Sequence, residues 1–241
     1  MLLRIPVVTT GTALPHALTR LEPAAPRALV LLLHGGKQSS RAPVDARSAS
    51  WRRMAALQRA ITPTLHDAGV ATWLLRYRVR GWNGGAPVAD ARWALDEVRR
   101  THGDLPVVLL GHSMGGRTAA HVADDASVVG VVALAPWWQP DDPVDALLGK
   151  PVVAAHGRSD KITSARMTRR FLARAEPTAG EVRFHDMGRV GHYLFRRVAA
   201  WNDVAASECL RLLPDPARPS PRSCPPVVLG RRGRAARKSF S

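Results

Sequence analysis

A serine flanked by glycines is the residue of this sequence best suited to nucleophilic chemistry. The segment Gly111-His112-Ser113-Met114-Gly115 has the pattern G-x-S-x-G, and it follows the apolar run 107–110. Between a strand and a helix, this pattern holds a serine hydroxyl above the end of a sheet, and the glycines remove side chains that would collide with nearby backbone. The pattern therefore predicts that Ser113 is a nucleophile. The alternative is a glycine-rich turn in which the serine only caps the helix.

An activated serine needs a base, a carboxylate that orients the base, and N–H groups that stabilise a developing oxyanion. The sequence has nine histidines. His192 stands next to a glycine, in a loop between the last predicted strand and the last predicted helix, which is an exposed setting suited to a base. Candidate carboxylates follow two different predicted strands, Asp141 and Asp142 after one and Asp160 after the next.

The elements that must position these residues are visible as an alternation of apolar patterns. Short runs rich in Val, Leu and Ala, typical of buried parallel strands, lie at 28–34, 70–77, 106–110, 128–135 and 151–156. Stretches with apolar residues three and four positions apart, typical of helices, lie at 51–67, 90–101, 113–124 and 164–175. A strand at 182–185 and a helix at 194–213 follow, and weaker patterns at 3–8 and 16–21 predict two leading strands.

This alternation predicts an α/β fold with a doubly wound, mostly parallel sheet and helices on both faces. Ligands of such sheets bind outside the carboxyl ends of the strands. Ser113, Asp160 and His192 each come just after a predicted strand. We therefore expect their side chains to meet at one edge of the sheet.

Four segments, in this chain order, resemble the α/β-hydrolase superfamily over nearly all of residues 20–205. His34-Gly35-Gly36 is similar to the family's oxyanion loop, and 111–115 to its nucleophile elbow. His156-Gly157-Arg158-Ser159-Asp160 is similar to the segment that bears the acid, and Gly191-His192 to the segment that bears the histidine. The resemblance implies an α/β-hydrolase of the serine esterase type, with no metal and no organic cofactor.

The resemblance also implies the role of each residue in a catalytic triad. Ser113 would be the nucleophile, His192 the base and Asp160 the acid that orients it. Some relatives place the acid after the preceding strand, so Asp141 and Asp142 stay open as alternatives.

Two backbone N–H groups would form the oxyanion hole. The resemblance implies that Met114, at the start of the helix after the nucleophile, provides one of them, helped by the positive helix end. Gly36 would provide the other, since a glycine lets backbone approach the substrate closely. Lys37 is the alternative donor if the loop is shifted by one residue.

The spacing of the later strands indicates an open site without a cap domain. About fifteen residues separate the strand that ends near Ala135 from the one that starts at Pro151, where larger relatives insert a helical lid. We expect His112 to line the wall of the site and Trp137 and Trp138, with Trp82 as a further candidate, to border it and form an apolar pocket for a small-molecule acyl substrate. The two adjacent tryptophans are equally consistent with a plug at the edge of the core.

Composition limits the classes of function. The chain has 241 residues, 46% of them hydrophobic, which predicts one catalytic domain over 1–213. No run approaches the roughly 20 apolar residues of a membrane span, and residues 1–13 lack the pattern of a secretory signal, so we expect a cytoplasmic protein that does not bind a membrane. The two cysteines, Cys209 and Cys224, lack metal-ligand spacing and are expected to be free thiols.

The positive charge does not by itself indicate nucleic-acid binding. The net charge is +16, but the basic residues are mostly arginines spread along the chain, with only two Tyr and four Phe available for stacking on bases. Residues 214–241 contain six prolines and an arginine-rich run, which predicts a disordered basic tail. The sequence gives no indication of the oligomeric state.

Three other functions remain open at the level of the sequence. An acyltransferase or a thioesterase would use the same site and differ only in the acyl bond or in the nucleophile that resolves the acyl-enzyme. A non-catalytic binding protein could share the fold. The tail could act as a basic interaction module. No expected catalytic position is substituted, which favours a hydrolase.

Overall fold

A computed structural model describes residues 15–215, which form seven strands and five helices. The strands are β1 Ala17–Leu21, β2 Ala28–Leu33, β3 Val70–Arg76, β4 Val107–His112, β5 Val128–Leu134, β6 Pro151–His156 and β7 Glu181–Asp186. The helices are α1 Ala49–Asp67, α2 Ala86–His102, α3 Met114–Val122, α4 Ala165–Ala175 and α5 Val198–Leu212.

The seven strands form one sheet in the order β1-β3-β2-β4-β5-β6-β7. Only β1 runs antiparallel, on the outer side of β3, and the other six strands are parallel. Parallel strands need crossover connections, and α-helices provide them except between β5 and β6. The carboxyl ends of β2, β4, β6 and β7 therefore open on the same edge of the sheet.

The helices cover both faces because the central strands are apolar on both sides. In β2, Leu29, Leu31 and Leu33 point to the face covered by α2, α3 and α4, and Val30 and Leu32 point to the face covered by α1 and α5. Every residue of β2 and of β4 is buried. This two-sided burial explains why the strands read as continuous apolar runs rather than as alternating patterns.

The predicted architecture is confirmed: the sheet is mostly parallel, it carries helices on both faces, and within residues 15–215 no cap domain interrupts it. The predicted strand at 16–21 corresponds to β1, and the one at 182–185 to β7. The predicted strand at 3–8 and nearly all of the predicted tail lie outside the described residues. Between β5 and β6 the chain forms only a single 3-10 turn, Asp145–Leu147. Within residues 15–215, no helix is long and apolar enough to cross a membrane.

Candidate active site

Ser113 lies in a sharp turn between β4 and α3. Its backbone has φ 55° and ψ −117°, a conformation that residues other than glycine rarely adopt. Glycines make the turn possible, because a Cβ on Gly115 would lie 2.0 Å from the Leu33 carbonyl oxygen and one on Gly111 would lie 2.3 Å from the Gly115 oxygen. The turn projects the Ser113 side chain beyond the carboxyl edge of the sheet.

The structure brings Ser113, His192 and Asp160 into one hydrogen-bonded chain. His192 Nε2 lies 3.0 Å from Ser113 Oγ, and His192 Nδ1 lies 2.8 Å from Asp160 Oδ2. Both nitrogens of the imidazole are thus engaged, one by the hydroxyl and one by the carboxylate. Ser113 and His192 are 7% and 5% exposed, so the hydroxyl and the ring lie at the bottom of the site rather than on the open surface.

Asp160 accepts more hydrogen bonds than the one from His192. His156 Nε2 donates to Oδ2 over 3.1 Å and the Thr163 hydroxyl over 2.9 Å, while the backbone N–H groups of Ile162 and Thr163 donate to Oδ1. Burial by itself would raise the pKa of this carboxyl group. The hydrogen bonds from His156, His192 and the backbone outweigh burial and hold the pKa of Asp160 well below its usual range. The carboxylate is therefore ionised.

The two alternative acids do not reach the histidine. Asp142 is buried and receives hydrogen bonds from Arg117 Nε over 2.9 Å and from Arg117 Nη2 over 2.6 Å, and His121 Nε2 lies 3.3 Å from the same oxygen. Asp141 is exposed. Asp142 instead forms an ion pair with Arg117, and this pair joins the loop after β5 to α3.

Of the two expected oxyanion donors, Met114 directly follows Ser113 at the start of α3, and Gly36 lies in the loop after β2, close to the Met114 side chain. No residue among 15–215 accepts a hydrogen bond from the N–H of Met114 or from that of Gly36. The alternative donor, Lys37, already donates its N–H to the Arg80 carbonyl over 2.8 Å. A Cβ at position 36 would lie 2.5 Å from the Arg80 oxygen and 2.4 Å from Met114 Cε, so only glycine fits this close approach.

His112 lies behind the catalytic candidates rather than on an open wall of the site. It is 3% exposed, and its Nε2 donates to the His192 carbonyl over 3.0 Å. Burial, aided by the charge of His192, lowers the pKa of His112 to about 3, so its ring is neutral at physiological pH. This ring therefore fixes the backbone of His192.

The two adjacent tryptophans have different environments. Trp138 is 2% exposed, stacks on Phe171 with ring centroids 4.1 Å apart, and donates its indole N–H to the Gly116 carbonyl. Trp138 therefore belongs to the edge of the core, which was the alternative interpretation of the adjacent tryptophans, and not to a substrate pocket. Trp137 is half-buried and packs against Arg117, whose guanidinium lies 4.7 Å from the centre of its ring.

Two further residues at this site were not among the sequence-based candidates. Thr163 Oγ1 lies 3.1 Å from His192 Nδ1 as well as next to Asp160. Arg53 of α1 donates to the carbonyls of Tyr193 and Leu194 over 3.1 and 3.0 Å and so holds the loop that follows the histidine. Thr163 follows Asp160 by three residues, and this short spacing could have identified it as a hydrogen-bond partner of the acid. Nothing local marks Arg53, which is 140 residues from Tyr193.

Within the described part of the chain, no group of three His, Cys, Asp or Glu side chains is arranged to hold a metal ion. The polar groups of the site are instead hydrogen-bonded to one another.

Comparisons with known proteins agree with this architecture. A family model described as alpha/beta hydrolase family matches residues 30–240. No curated protein sequence matches the chain. A serine hydrolase without lid from Xanthomonas campestris shares 18% identity and a TM-score of 0.63, over 85% of this chain and 92% of its own.

Two other solved structures with the same fold are described as a lipase and as an esterase domain. A monoacylglycerol lipase from Paleococcus ferrophilus has 17% identity and a TM-score of 0.58, over 82% of this chain and 100% of its own. The esterase domain of a Rhodothermus marinus protein has 14% identity and a TM-score of 0.58, over 82% of this chain and 98% of its own. By its sheet, its elbow and the match of the family model, the chain belongs to the alpha/beta hydrolase family.

Proposed function

We propose that the protein is a serine hydrolase that cleaves a carboxylic ester or a related acyl bond of a small-molecule substrate. The observation that carries the proposal is the chain of two hydrogen bonds from Ser113 Oγ through the His192 ring to Asp160, of 3.0 and 2.8 Å. A hydroxyl, a base and an ionised carboxylate in this order form the arrangement that activates a serine for acyl transfer.

In the first half of the reaction, Ser113 Oγ attacks the carbonyl carbon of the substrate. His192 Nε2 takes the hydroxyl proton, and the carbonyl oxygen gains negative charge in a tetrahedral intermediate. The N–H groups of Met114 and Gly36 stabilise that oxyanion, and the start of α3 adds the positive end of a helix dipole. When the intermediate collapses, His192 returns the proton to the leaving alcohol, and the acyl group stays on Ser113.

In the second half, a water molecule takes the place of the alcohol. His192 accepts a proton from the water as it attacks the acyl carbon, and then protonates Ser113 Oγ as the carboxylic acid leaves. Asp160 keeps the proton on His192 Nδ1 throughout, so that Nε2 is the free base, and it stabilises the imidazolium that forms twice in each cycle.

The proposal that the cleaved bond is an ester or related acyl bond is supported by the open architecture and by the similar solved structures. The short connection between β5 and β6 carries no lid, and the solved structures of the same fold include an esterase domain and a monoacylglycerol lipase. Ser113 is only 7% exposed, which suits a small substrate better than a folded polymer.

The proposal is tested by covalent labelling and by turnover. A fluorophosphonate probe should label the wild-type protein at Ser113, and a panel of nitrophenyl esters of graded chain length should be hydrolysed. Ser113→Ala should abolish both signals. Ser207→Ala is the matched control, because Ser207 is an exposed serine on α5 whose hydroxyl donates to the Val204 carbonyl. Labelling that persists in Ser113→Ala, or is lost in Ser207→Ala alone, would refute the assignment of the nucleophile.

A further inference from the structure

A second concave site lies beside the histidine loop. It has a volume of about 510 Å³ and is formed by the first turns of α1, the segment before them, and Phe195. Volumes of about 300–1,000 Å³ are typical of sites for small molecules. Apolar surface comes from Trp51, Ala49, Ala56 and Phe195, the last of which is 71% exposed. We call this site the α1 groove.

The α1 groove also carries a concentration of positive charge. Ala49, Arg52, Ala56 and Arg59 are spaced three and four residues apart, so they share one face of the helix, and Arg47 lies just before it. The three arginines are exposed, and none of their side chains pairs with a carboxylate within residues 15–215. Residues 1–14 and 216–241 contain no Asp or Glu. No acidic side chain of these terminal segments can therefore neutralise the groove.

The groove is connected to the candidate active site through Arg53. This residue lines the groove and donates two hydrogen bonds to the loop that carries His192, at the carbonyls of Tyr193 and Leu194. Leu194 has a φ of 57°, so the loop depends on such contacts to keep its shape. A ligand seated on Arg52 and Phe195 would lie against the same loop.

We propose that the α1 groove binds a single-chain anionic amphiphile, a long-chain carboxylate such as a fatty acid anion. The carboxylate would bind between the guanidinium groups of Arg52 and Arg59, because guanidinium pairs well with planar anions. The alkyl chain would lie on Trp51 and Phe195. A neutral ligand would leave the arginines unpaired, and a small inorganic anion would leave the apolar wall uncovered. Only a ligand with both properties uses both surfaces.

Dodecanoate below its micellar concentration is the probe, and binding is measured by isothermal titration calorimetry. We expect one site on the wild-type protein. The double variant Arg52→Gln/Arg59→Gln should weaken binding at least about tenfold, because both charge-assisted contacts are lost. Arg166→Gln is the matched control, since Arg166 is an exposed arginine on α4, which covers the opposite face of the sheet. This variant should bind as the wild type does.

Two companion ligands separate the contributions of charge and chain. Dodecyltrimethylammonium has a similar chain and the opposite charge, and acetate has the charge without the chain, so neither should bind measurably. A dodecanoate analogue with a photoreactive diazirine should crosslink to peptides that contain 46–59 or 193–198. Because dodecanoate is not an ester, none of these measurements depends on turnover, and their failure would leave the proposed hydrolase function standing.

Three results would overturn the proposal. Equal dodecanoate affinity in the wild type and the double variant would remove the role of the arginines. Equal binding of the cationic amphiphile would show a groove that recognises apolar chains alone. Binding to vesicles that contain anionic lipid, without binding of monomeric dodecanoate, would show that this face recognises a membrane surface and not a single molecule.

Discussion

At the scale of single residues, the site is organised around one oxygen atom. Asp160 Oδ2 accepts hydrogen bonds from His192, His156 and Thr163, with distances of 2.8, 3.1 and 2.9 Å. His156 is itself fixed, because its Nδ1 lies 2.8 Å from the Thr168 hydroxyl. This carboxylate oxygen, which orients the candidate base, is thus held by two donors besides that base, and backbone N–H groups hold the other oxygen.

Asparagine substitutions distinguish the catalytic role of Asp160 from the structural role of Asp142. Asp160→Asn should retain the fold but lower kcat by several orders of magnitude, since an amide favours the wrong imidazole tautomer; the effect in serine proteases is roughly 10⁴-fold. Asp142→Asn should lower the melting temperature by breaking the pair with Arg117, and should leave kcat per folded molecule nearly unchanged. Ester turnover and thermal unfolding measure the two effects. Near wild-type kcat in Asp160→Asn would contradict the assignment.

Thr163 offers a milder test of the same network. Thr163→Val keeps the shape of the side chain but removes the hydroxyl shared by Asp160 and His192. The loss of one hydrogen bond to a charged group, about 1.5 kcal/mol, predicts a decrease of roughly tenfold in kcat/KM. Thr62→Val is the control, because Thr62 is a buried threonine of α1 with a comparable hydrogen bond, to the Gln58 carbonyl. An equal loss of kcat/KM in both variants would indicate general destabilisation instead.

At the scale of elements, the elbow depends on the close contact of α3 with the end of β2. A Cβ on Gly115 would meet the Leu33 carbonyl oxygen at 2.0 Å, and both are backbone positions that cannot rotate away. The helix can therefore begin directly above the sheet only if residue 115 is glycine. The same approach places the N–H of Met114 beside the nucleophile.

Gly115→Ala should therefore damage both stability and turnover. Overpacking costs of about 2–3 kcal/mol correspond to a decrease of roughly 5–10 °C in Tm for a domain of this size. Gly191→Ala is the matched control, since no described residue other than its two chain neighbours lies within 4 Å of a Cβ at that position, and its Tm should stay within about 1 °C of wild type. Thermal unfolding followed by circular dichroism measures both. A Tm unchanged in Gly115→Ala would show that α3 can move away without cost.

At the scale of the whole molecule, burial of neutral histidines makes stability depend on pH. Burial lowers the pKa of His34 to about 4 and, together with the charge of His192, that of His112 to about 3, from an ordinary value of 6.5. Between pH 6.5 and about 4 the unfolded chain binds protons at these two positions and the native protein does not. The free energy of unfolding must therefore decrease as the pH falls through this window.

The expected change of the free energy of unfolding with pH is large enough to measure. Two protons taken up on unfolding correspond to a loss of about 2 kcal/mol per pH unit between pH 6 and 5, above the range in which most carboxylates titrate. His112→Gln removes one of the two groups and keeps a donor for the His192 carbonyl, so it should halve the slope. Urea unfolding at several pH values gives the slope, and measurements at pH 8 give the cost of the substitution itself. An identical slope in the variant would contradict the burial argument.

The sequence by itself determined the fold and the composition of the candidate site. Apolar runs and helical periodicities are local properties, so strands such as β6 at 151–156 were predicted to the residue, and the order of Ser113, Asp160 and His192 along the chain followed from motifs. These patterns work because two-sided burial and strand-to-helix turns leave few residue types that fit.

Only the tertiary structure decided which polar groups meet. Asp142 and Asp160 both follow strands, but Arg117, on α3, pairs with the former, and His192 reaches the latter. Trp137 and Trp138 are adjacent, yet packing against α4 buries only the second in the core. Each of these outcomes depends on distances of a few ångströms between residues far apart in sequence. Hydrogen bonds and packing act at that range, whereas local sequence patterns carry no information about it.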